Sequence, residues 1–249
     1  MVLAWRWLMS ILFVVVNAVM MGLMGIVFLP WAAFSAKGAQ KTCWLYTEWV
    51  RFTARLLVGI TWEVRGEVPQ DECLLVSKHQ SFLDILIIFN AVPQPRFIMK
   101  RELLWTPVIG LYAWRLGCVP VARGRRGAAI KQMMADVQSG RVTPGQLVIY
   151  PQGTRVKPGQ YKPFKVGSYA LYSQLGQEAV PVATNAGLFW PKGTMLRKPG
   201  RAVVEFMPRI AQGVPQKEFL ARVEAEVEGG SNALMAEAGF TALPDGKEG

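Results

Sequence analysis

The sequence is poor in the residues that form metal sites and disulfide bonds. It has one histidine, His79, and three cysteines, which are odd in number and widely spaced at Cys43, Cys73 and Cys118. This pattern favours neither a disulfide framework nor a zinc site. We therefore expect no metal ion and a reducing, cytosolic setting for the main domain. With one histidine, only one side chain has an ordinary pKa near neutrality.

Acidic residues are also scarce. The chain has 17 Asp and Glu against 28 Lys and Arg, which gives a formal net charge of +11. Such an excess favours an anionic partner, for instance nucleic acid, an anionic bilayer or a phosphorylated substrate. No recognisable nucleic-acid-binding module accompanies the charge, so we expect membrane lipids or a phosphorylated substrate as partners and no nucleic acid.

Charged residues are missing altogether between Arg6 and Lys37. The segment 7–36 is rich in Leu, Val, Ile, Phe and Met, and it is too long to be the core of a signal peptide. We predict that it is retained as a membrane anchor. Hydropathy does not decide whether the segment crosses the bilayer once or folds as a re-entrant hairpin around Gly22 and Gly25.

More basic residues follow the apolar segment than precede it. Only Arg6 and the amino terminus come before it, whereas Lys37, Lys41, Arg51 and Arg55 come after. The positive-inside rule therefore predicts the inner (cytoplasmic) membrane, with the main domain facing the cytoplasm. Residues 43–60 have apolar positions at helical spacing, which predicts an amphipathic helix that packs on the main domain or lies on the bilayer surface.

The remainder of the chain predicts an α/β fold, with a largely parallel mixed sheet flanked by helices. We expect an anchor and amphipathic helix over 1–60, the main domain over 61–237 and a disordered tail over 238–249. The predicted strands are 61–64, 74–77, 96–99, 118–121, 147–150, 179–182 and 203–207. The predicted helices are 83–91, 102–116, 128–139, 165–175 and 216–228.

The single histidine lies in a segment suited to acid–base chemistry. Residues 78–84 read Lys-His-Gln-Ser-Phe-Leu-Asp and follow a predicted strand, where α/β folds place many active groups. On one continuous helix His79 and Asp84 would diverge by about 140°, so they meet only if His79 stands in the loop before the helix. A carboxylate there would fix the tautomer of a general base. The alternative is a structural histidine beside a simple helix capping box.

Two further segments lie at strand ends, and the first of them carries groups suited to phosphate. Residues 150–155 read Tyr-Pro-Gln-Gly-Thr-Arg and supply a turn glycine, backbone donors, a hydroxyl and a guanidinium. Residues 117–123 read Gly-Cys-Val-Pro-Val-Ala-Arg and end in Arg123. Taken singly, the first is also consistent with an ordinary turn, and the second with a solvated loop or a patch for anionic lipid.

Together these segments resemble the glycerolipid acyltransferase family, in particular the bacterial (PlsC-type) 1-acylglycerol-3-phosphate acyltransferases, over about residues 60–210. The four ordered motifs of that family correspond to residues 79–84, 117–123, 150–155 and the Val-Pro strand at 179–182. Any one motif alone is weak, but four in this order are specific. Lys78 stands in the leading place of the first motif, where asparagine or a similar residue is usual.

The resemblance implies that His79 is the general base and that Asp84 orients it. The substrate-binding residues that it implies are Lys100, Arg123, Gln152, Gly153, Thr154 and Arg155. One departure concerns Gln152, because the third motif usually has glutamate there. Glutamine keeps the length but removes the charge, so we expect Gln152→Glu to leave activity towards lysophosphatidate near normal.

The resemblance also implies a reaction. An acyl group would pass from acyl-CoA or acyl carrier protein to the free hydroxyl of lysophosphatidate, forming phosphatidate in phospholipid biosynthesis. No cofactor beyond that co-substrate is expected, and donors near the His79 loop would stabilise the oxyanion. Two alternatives stay open: another lysolipid acceptor, such as a lyso-aminolipid, and a non-catalytic protein that binds anionic lipid on the same scaffold.

Overall fold

Seven strands form one sheet at the centre of the computed structural model, which describes residues 2–121 and 144–240 together with the isolated positions 131 and 135. The strands are β1 (Ile60–Gly66), β2 (Leu74–Ser77), β3 (Pro95–Lys100), β4 (Val119–Val121), β5 (Gln146–Ile149), β6 (Ala179–Thr184) and β7 (Gly200–Phe206). Arg123, most of the predicted helix 128–139 and most of the predicted tail lie outside the described residues.

The α-helices of the described residues pack on both faces of the sheet, and the first three precede β1 in the sequence. They are α1 (Val2–Val27), α2 (Leu29–Phe34), α3 (Ala36–Thr53), α4 (Leu83–Ala91), α5 (Ile109–Arg115), α6 (Gly167–Leu175) and α7 (Gln216–Glu237). All seven predicted strands are present to within a few residues. The predicted helix 216–228 continues to Glu237.

The sheet order is β1-β7-β6-β2-β5-β3-β4. From β6 to β4 every neighbouring pair is parallel, whereas β7 is antiparallel to β6 and pairs in parallel with β1. The predicted fold class, a largely parallel mixed sheet flanked by helices, is therefore confirmed. Every residue of β2, β5 and β6 is buried, as expected for parallel strands that are covered on both faces.

Two hydrophobic clusters cover the two faces of the sheet. On one face α4 contributes Leu83 and Ile87, and the same cluster contains Phe13 of α1 and Val50 of α3. On the other face α6 and α7 pack through a second cluster that includes Leu171, Tyr172, Phe219 and Val223. The predicted anchor therefore packs directly on the main domain.

The helix predicted over 43–60 has different ends in the structure. It begins at Ala36, where Ser35 caps it by accepting a hydrogen bond from Gly38 N at 3.2 Å. It ends at Thr53, and a π-helical turn then leads to Gly59 in the left-handed region, with φ of 68°. Ile60 already belongs to β1, so the predicted end of the helix is wrong.

The helix predicted over 102–116 is divided in two. A 3₁₀ turn covers Arg101–Trp105, and α5 starts only at Ile109. Pro107 explains the break, because a residue before proline is driven out of the α region. Thr106 is accordingly extended, with ψ of 123°.

Helix α1 runs without a break through Gly22 and Gly25 and ends at Val27, so the alternative of a hairpin turn at these two glycines is wrong. The 26 residues of α1 would extend about 39 Å at the usual rise, which exceeds the roughly 30 Å hydrocarbon core of a bilayer. Within the described residues, α1 is the one helix long and apolar enough to cross a membrane, and only 22% of its most apolar stretch is buried. This helix indicates membrane association.

One narrow face of α1 contacts the rest of the protein. Ser10 Oγ accepts a hydrogen bond from Arg197 N at 2.9 Å. The Asn17 and Thr53 side chains are 3.2 Å apart, and Tyr112 donates to Gly25 O at 3.3 Å. The other faces of α1 expose leucine, valine, isoleucine and tryptophan side chains.

Candidate active site

His79 and Asp84 are in direct contact at the carboxyl end of β2. His79 Nδ1 lies 2.9 Å from Asp84 Oδ1, with His79 in the loop and Asp84 in the first turn of α4. This is the arrangement that the spacing of the two residues required. The Asp84 side chain is fully buried, whereas that of His79 is 15% exposed. Because Nδ1 faces the carboxylate, Nε2 is the ring nitrogen left to exchange a proton.

Asp84 also forms the helix cap that was the competing interpretation of this segment. Its Oδ2 accepts hydrogen bonds from Gln80 N at 2.8 Å and Ser81 N at 2.7 Å. Ser81 Oγ in turn accepts from Leu83 N at 3.0 Å. One oxygen thus fixes the loop while the other faces the histidine, so capping and orientation of His79 coexist in the same carboxylate.

Tyr150 completes the surroundings of this pair. Its ring stacks on His79 with centroids 4.0 Å apart, and its hydroxyl donates to Asp84 Oδ1 at 3.3 Å. Burial, and then the charge of Asp84, raise the pKa of Tyr150 well above its usual value. The phenol therefore stays protonated and can donate its hydrogen to Asp84.

Strand order brings the predicted site residues to one edge of the sheet. The loops after β2 and β5 are neighbours, so His79 lies beside the turn 150–155. Lys100 is the last residue of β3, which lies beside β5 and two strands away from β2. Two strand spacings separate it from the end of β2 by about 10 Å, and Lys100 is exposed. Arg123 follows β4, the next strand, but it lies outside the described residues.

The turn 150–155 exposes the groups that were predicted to bind phosphate. Gly153 has φ of 71°, a conformation that favours glycine and lets the chain reverse directly after Gln152. Arg155 is exposed, and Thr154 is half-buried. Lys192 reaches both, because its ammonium lies 3.4 Å from Thr154 Oγ1 and 3.4 Å from Arg155 O. Lys192 thus adds a cation that none of the motifs contains.

Gln152 does not face the open side of the turn. Its side chain is fully buried, and its Nε2 donates to Lys162 O at 3.1 Å and to Glu228 Oε1 at 2.9 Å. Because the Gln152 side chain is buried, a substrate cannot reach it in this conformation, and the predicted contact of Gln152 with substrate is absent. Glu228 lies far away in the sequence, and no local pattern marks it.

Trp190 links the His79 loop to the N-terminal helix. Its carbonyl oxygen accepts a hydrogen bond from Ser81 Oγ at 2.6 Å. Its ring meets Phe13 of α1 edge-on at 5.2 Å and contacts Phe82 at 5.9 Å. Phe82, two residues before Asp84, is itself 38% exposed. The site therefore adjoins the apolar helix.

The three cysteine thiols are not suited to act as a catalytic nucleophile. Cys43, Cys73 and Cys118 are all unpaired. Burial raises the pKa of Cys43 and of Cys73 to about 12 and that of Cys118 to about 11. All three stay protonated near neutral pH, so none is a ready nucleophile.

Comparison with known proteins points to one family. A family model described as Acyltransferase matches residues 60–185, about half of the chain, and this region contains His79, Asp84 and the turn 150–155. The 1-acyl-sn-glycerol-3-phosphate acyltransferase of Pseudomonas aeruginosa is 30% identical over 194 residues, which are 76% of this chain and 76% of that protein.

A mammalian relative and a solved structure extend the comparison. The 1-acyl-sn-glycerol-3-phosphate acyltransferase alpha of Mus musculus is 33% identical over 164 residues, which are 64% of this chain and 58% of that protein. The crystal structure of the 1-acyl-sn-glycerophosphate (LPA) acyltransferase PlsC of Thermotoga maritima matches with a TM-score of 0.76 at 21% identity, covering 93% of this chain and 97% of that one. At that identity, the likeness establishes a shared fold.

Proposed function

The chain belongs to the acyltransferase family, and from this premise we propose that it transfers a fatty acyl group from a thioester to the free hydroxyl of lysophosphatidate, forming phosphatidate. The observation that carries the proposal is the contact between His79 and Asp84 beside the turn 150–155. This contact joins a group able to accept a proton at neutral pH to a carboxylate that orients it.

The proposed reaction is a direct transfer. His79 Nε2 takes the proton of the acceptor hydroxyl as that oxygen attacks the thioester carbonyl, and Asp84 stabilises the imidazolium that forms. Collapse of the tetrahedral intermediate breaks the carbon–sulfur bond. The imidazolium then returns the proton to the departing thiolate. The ester is released with the free thiol of coenzyme A or acyl carrier protein.

The geometry changes the expectation for the oxyanion donors. The backbone N–H groups of Gln80 and Ser81 already bond to Asp84, and that of Gly153 bonds to Tyr150 O at 2.9 Å. We therefore assign oxyanion stabilisation to the remaining donors of the turn, at Thr154 and Arg155, rather than to the His79 loop.

The position of the site beside α1 supports a lipid acceptor. Trp190 contacts both Phe13 of α1 and the His79 loop, so an acceptor held in the bilayer next to α1 lies near the reacting groups. Arg155 and Lys192 supply positive charge for its phosphate. We place the protein in the inner membrane with the catalytic domain in the cytoplasm, on the side where the basic residues follow α1.

The proposed activity is tested by an acyl-transfer assay on purified membranes. Lysophosphatidate, glycerol 3-phosphate and a neutral lysolipid are each offered with acyl-CoA and with acyl carrier protein as donor. We expect transfer to lysophosphatidate to exceed transfer to the other two acceptors with at least one donor. A preference for the neutral lysolipid would show that the proposed acceptor, lysophosphatidate, is wrong. Lipid binding without any transfer would favour the non-catalytic alternative.

Membrane attachment gives a separate prediction. High salt or carbonate should leave the protein in the membrane fraction, because α1 carries no charge after Arg6. The double variant Val15→Lys, Val19→Lys should be released, since each lysine near the centre of a span costs about 2.5–3.5 kcal/mol. Val15 is 50% exposed and Val19 is 55% exposed, so the contacts of α1 with the domain stay intact.

The matched control is Val166→Lys, at a valine that is 53% exposed but lies outside α1. It should stay attached like the wild type. Release of the wild type by salt alone would show that the attachment is electrostatic and would overturn the role given to α1.

A further inference from the structure

A buried ammonium group next to His79 is neutralised by a carboxylate from the last described helix. Lys78 is 2% exposed, and its Nζ lies 2.6 Å from each carboxylate oxygen of Glu228. The two residues are 150 positions apart in the sequence. A charged lysine in the interior requires such a partner, because removing one member of a buried pair leaves the other charge unsolvated.

Gln152 belongs to the same cluster. Its Nε2 donates to Glu228 Oε1 at 2.9 Å, the oxygen that also accepts from Lys78. One carboxylate therefore accepts from two buried donors. A carboxylate at position 152 would lie within hydrogen-bond distance of the Glu228 carboxylate, and the ammonium of Lys78 would be the positive charge beside both. Two like charges at that distance disfavour the ionisation of one of the two carboxylates.

Three separate elements meet in this cluster. Lys78 directly precedes His79 in the loop after β2, Gln152 directly precedes Gly153 in the turn after β5, and Glu228 lies on α7. The cluster therefore joins the loop that carries the proposed base to the turn that carries the proposed phosphate site. Movement at any of the three would change the distance between these two parts of the site.

We propose that Glu228, Lys78 and Gln152 form a positioning unit, in which α7 supplies the carboxylate that the third motif usually carries at position 152. The two departures from the family pattern, Lys78 and Gln152, are thereby one coupled change. None of the three touches substrate; they act through His79 and the turn 150–155. Where activity is the readout, the proposal rests on the proposed function.

The proposal is tested by moving the carboxylate back. Gln152→Glu puts two carboxylates beside Lys78, and Glu228→Gln leaves none, so each single variant should lose about tenfold or more in kcat with a smaller change in acceptor KM. The double variant Gln152→Glu, Glu228→Gln restores one carboxylate and should recover to within about threefold of the wild-type kcat. This reverses the expectation from sequence that Gln152→Glu alone is near normal.

The thermal unfolding midpoint is measured for the same set of variants. Each single change should lower it by about 4 °C or more, and the double variant should regain most of the loss. The matched control is Glu224→Gln, one turn earlier on α7, where the carboxylate accepts from the exposed Tyr161 hydroxyl instead of from a buried ammonium. It should leave both kcat and the midpoint at wild-type values.

The positioning unit would be overturned by a double variant that is no better than the worse single variant, or by a Glu228→Gln protein that behaves like Glu224→Gln. If the wild type transfers no acyl group at all, the proposed function fails, but the unfolding cycle still measures the coupling. Recovery of stability without recovery of kcat would show that the cluster only stabilises the fold and would also reject the positioning role.

Discussion

His79→Ala should slow acyl transfer by at least about a hundred-fold at neutral pH, because losing a general base typically costs about 10²- to 10⁴-fold in rate. His79 is the one histidine of the chain, so no second imidazole can take its place. Its ring stacks on Tyr150, and its Nδ1 contacts Asp84. Transfer is measured in membranes that contain equal amounts of each protein.

Asp84 is best tested with asparagine. Alanine would also remove the cap on Gln80 N and Ser81 N, whereas Asp84→Asn retains a carbonyl oxygen that can keep those two bonds. The amide offers the imidazole no negative charge, so we again expect a loss of at least about a hundred-fold. The double variant should be little slower than His79→Ala alone, because both changes act on one proton transfer.

Unchanged unfolding midpoints and membrane attachment are the controls for this pair. A His79→Ala protein that keeps most of the wild-type rate would remove the general-base assignment. Losses that multiply in the double variant would mean that Asp84 acts by some route other than His79.

The fold and the reacting pair were accessible from sequence because local patterns encode them. Each strand is an apolar run bounded by turn residues, and all seven strands appear in the sheet. The spacing of His79 and Asp84 carried its own geometric condition, a histidine in the loop and an aspartate in the first helical turn, and the structure meets it.

Contacts between residues far apart in the sequence were not predicted. Glu228 approaches Gln152 across 76 positions, and Lys192 approaches Thr154 across 38. Neither pair has a periodic or local signature, and a single sequence does not show which charges will be buried together. The predicted helix ends near Thr53 and Pro107 were wrong for a different reason. The helical spacing of apolar residues continues past both positions, whereas the helix itself is interrupted by a π-helical turn at the first and by proline at the second.

Arg155→Ala should weaken acceptor use by roughly ten- to a hundred-fold, which corresponds to about 1.5–3 kcal/mol for a hydrogen bond to a charged group. Arg155 is exposed beside Lys192 at the edge of the sheet that carries His79, so its guanidinium is available to a phosphate. The loss should appear in kcat/KM for lysophosphatidate, with a smaller change for the thioester donor.

Two variants separate a specific contact from the general positive field. Lys157→Ala removes one exposed charge two residues further along, and it should cost less than about threefold. Arg155→Lys keeps the charge but loses the paired donors of the guanidinium, so it should fall between wild type and Arg155→Ala. If Lys157→Ala matches Arg155→Ala, the phosphate responds to the net charge of the loop. If donor and acceptor suffer equally in Arg155→Ala, the residue supports the fold of the turn, and the phosphate site must be sought nearer to Lys100.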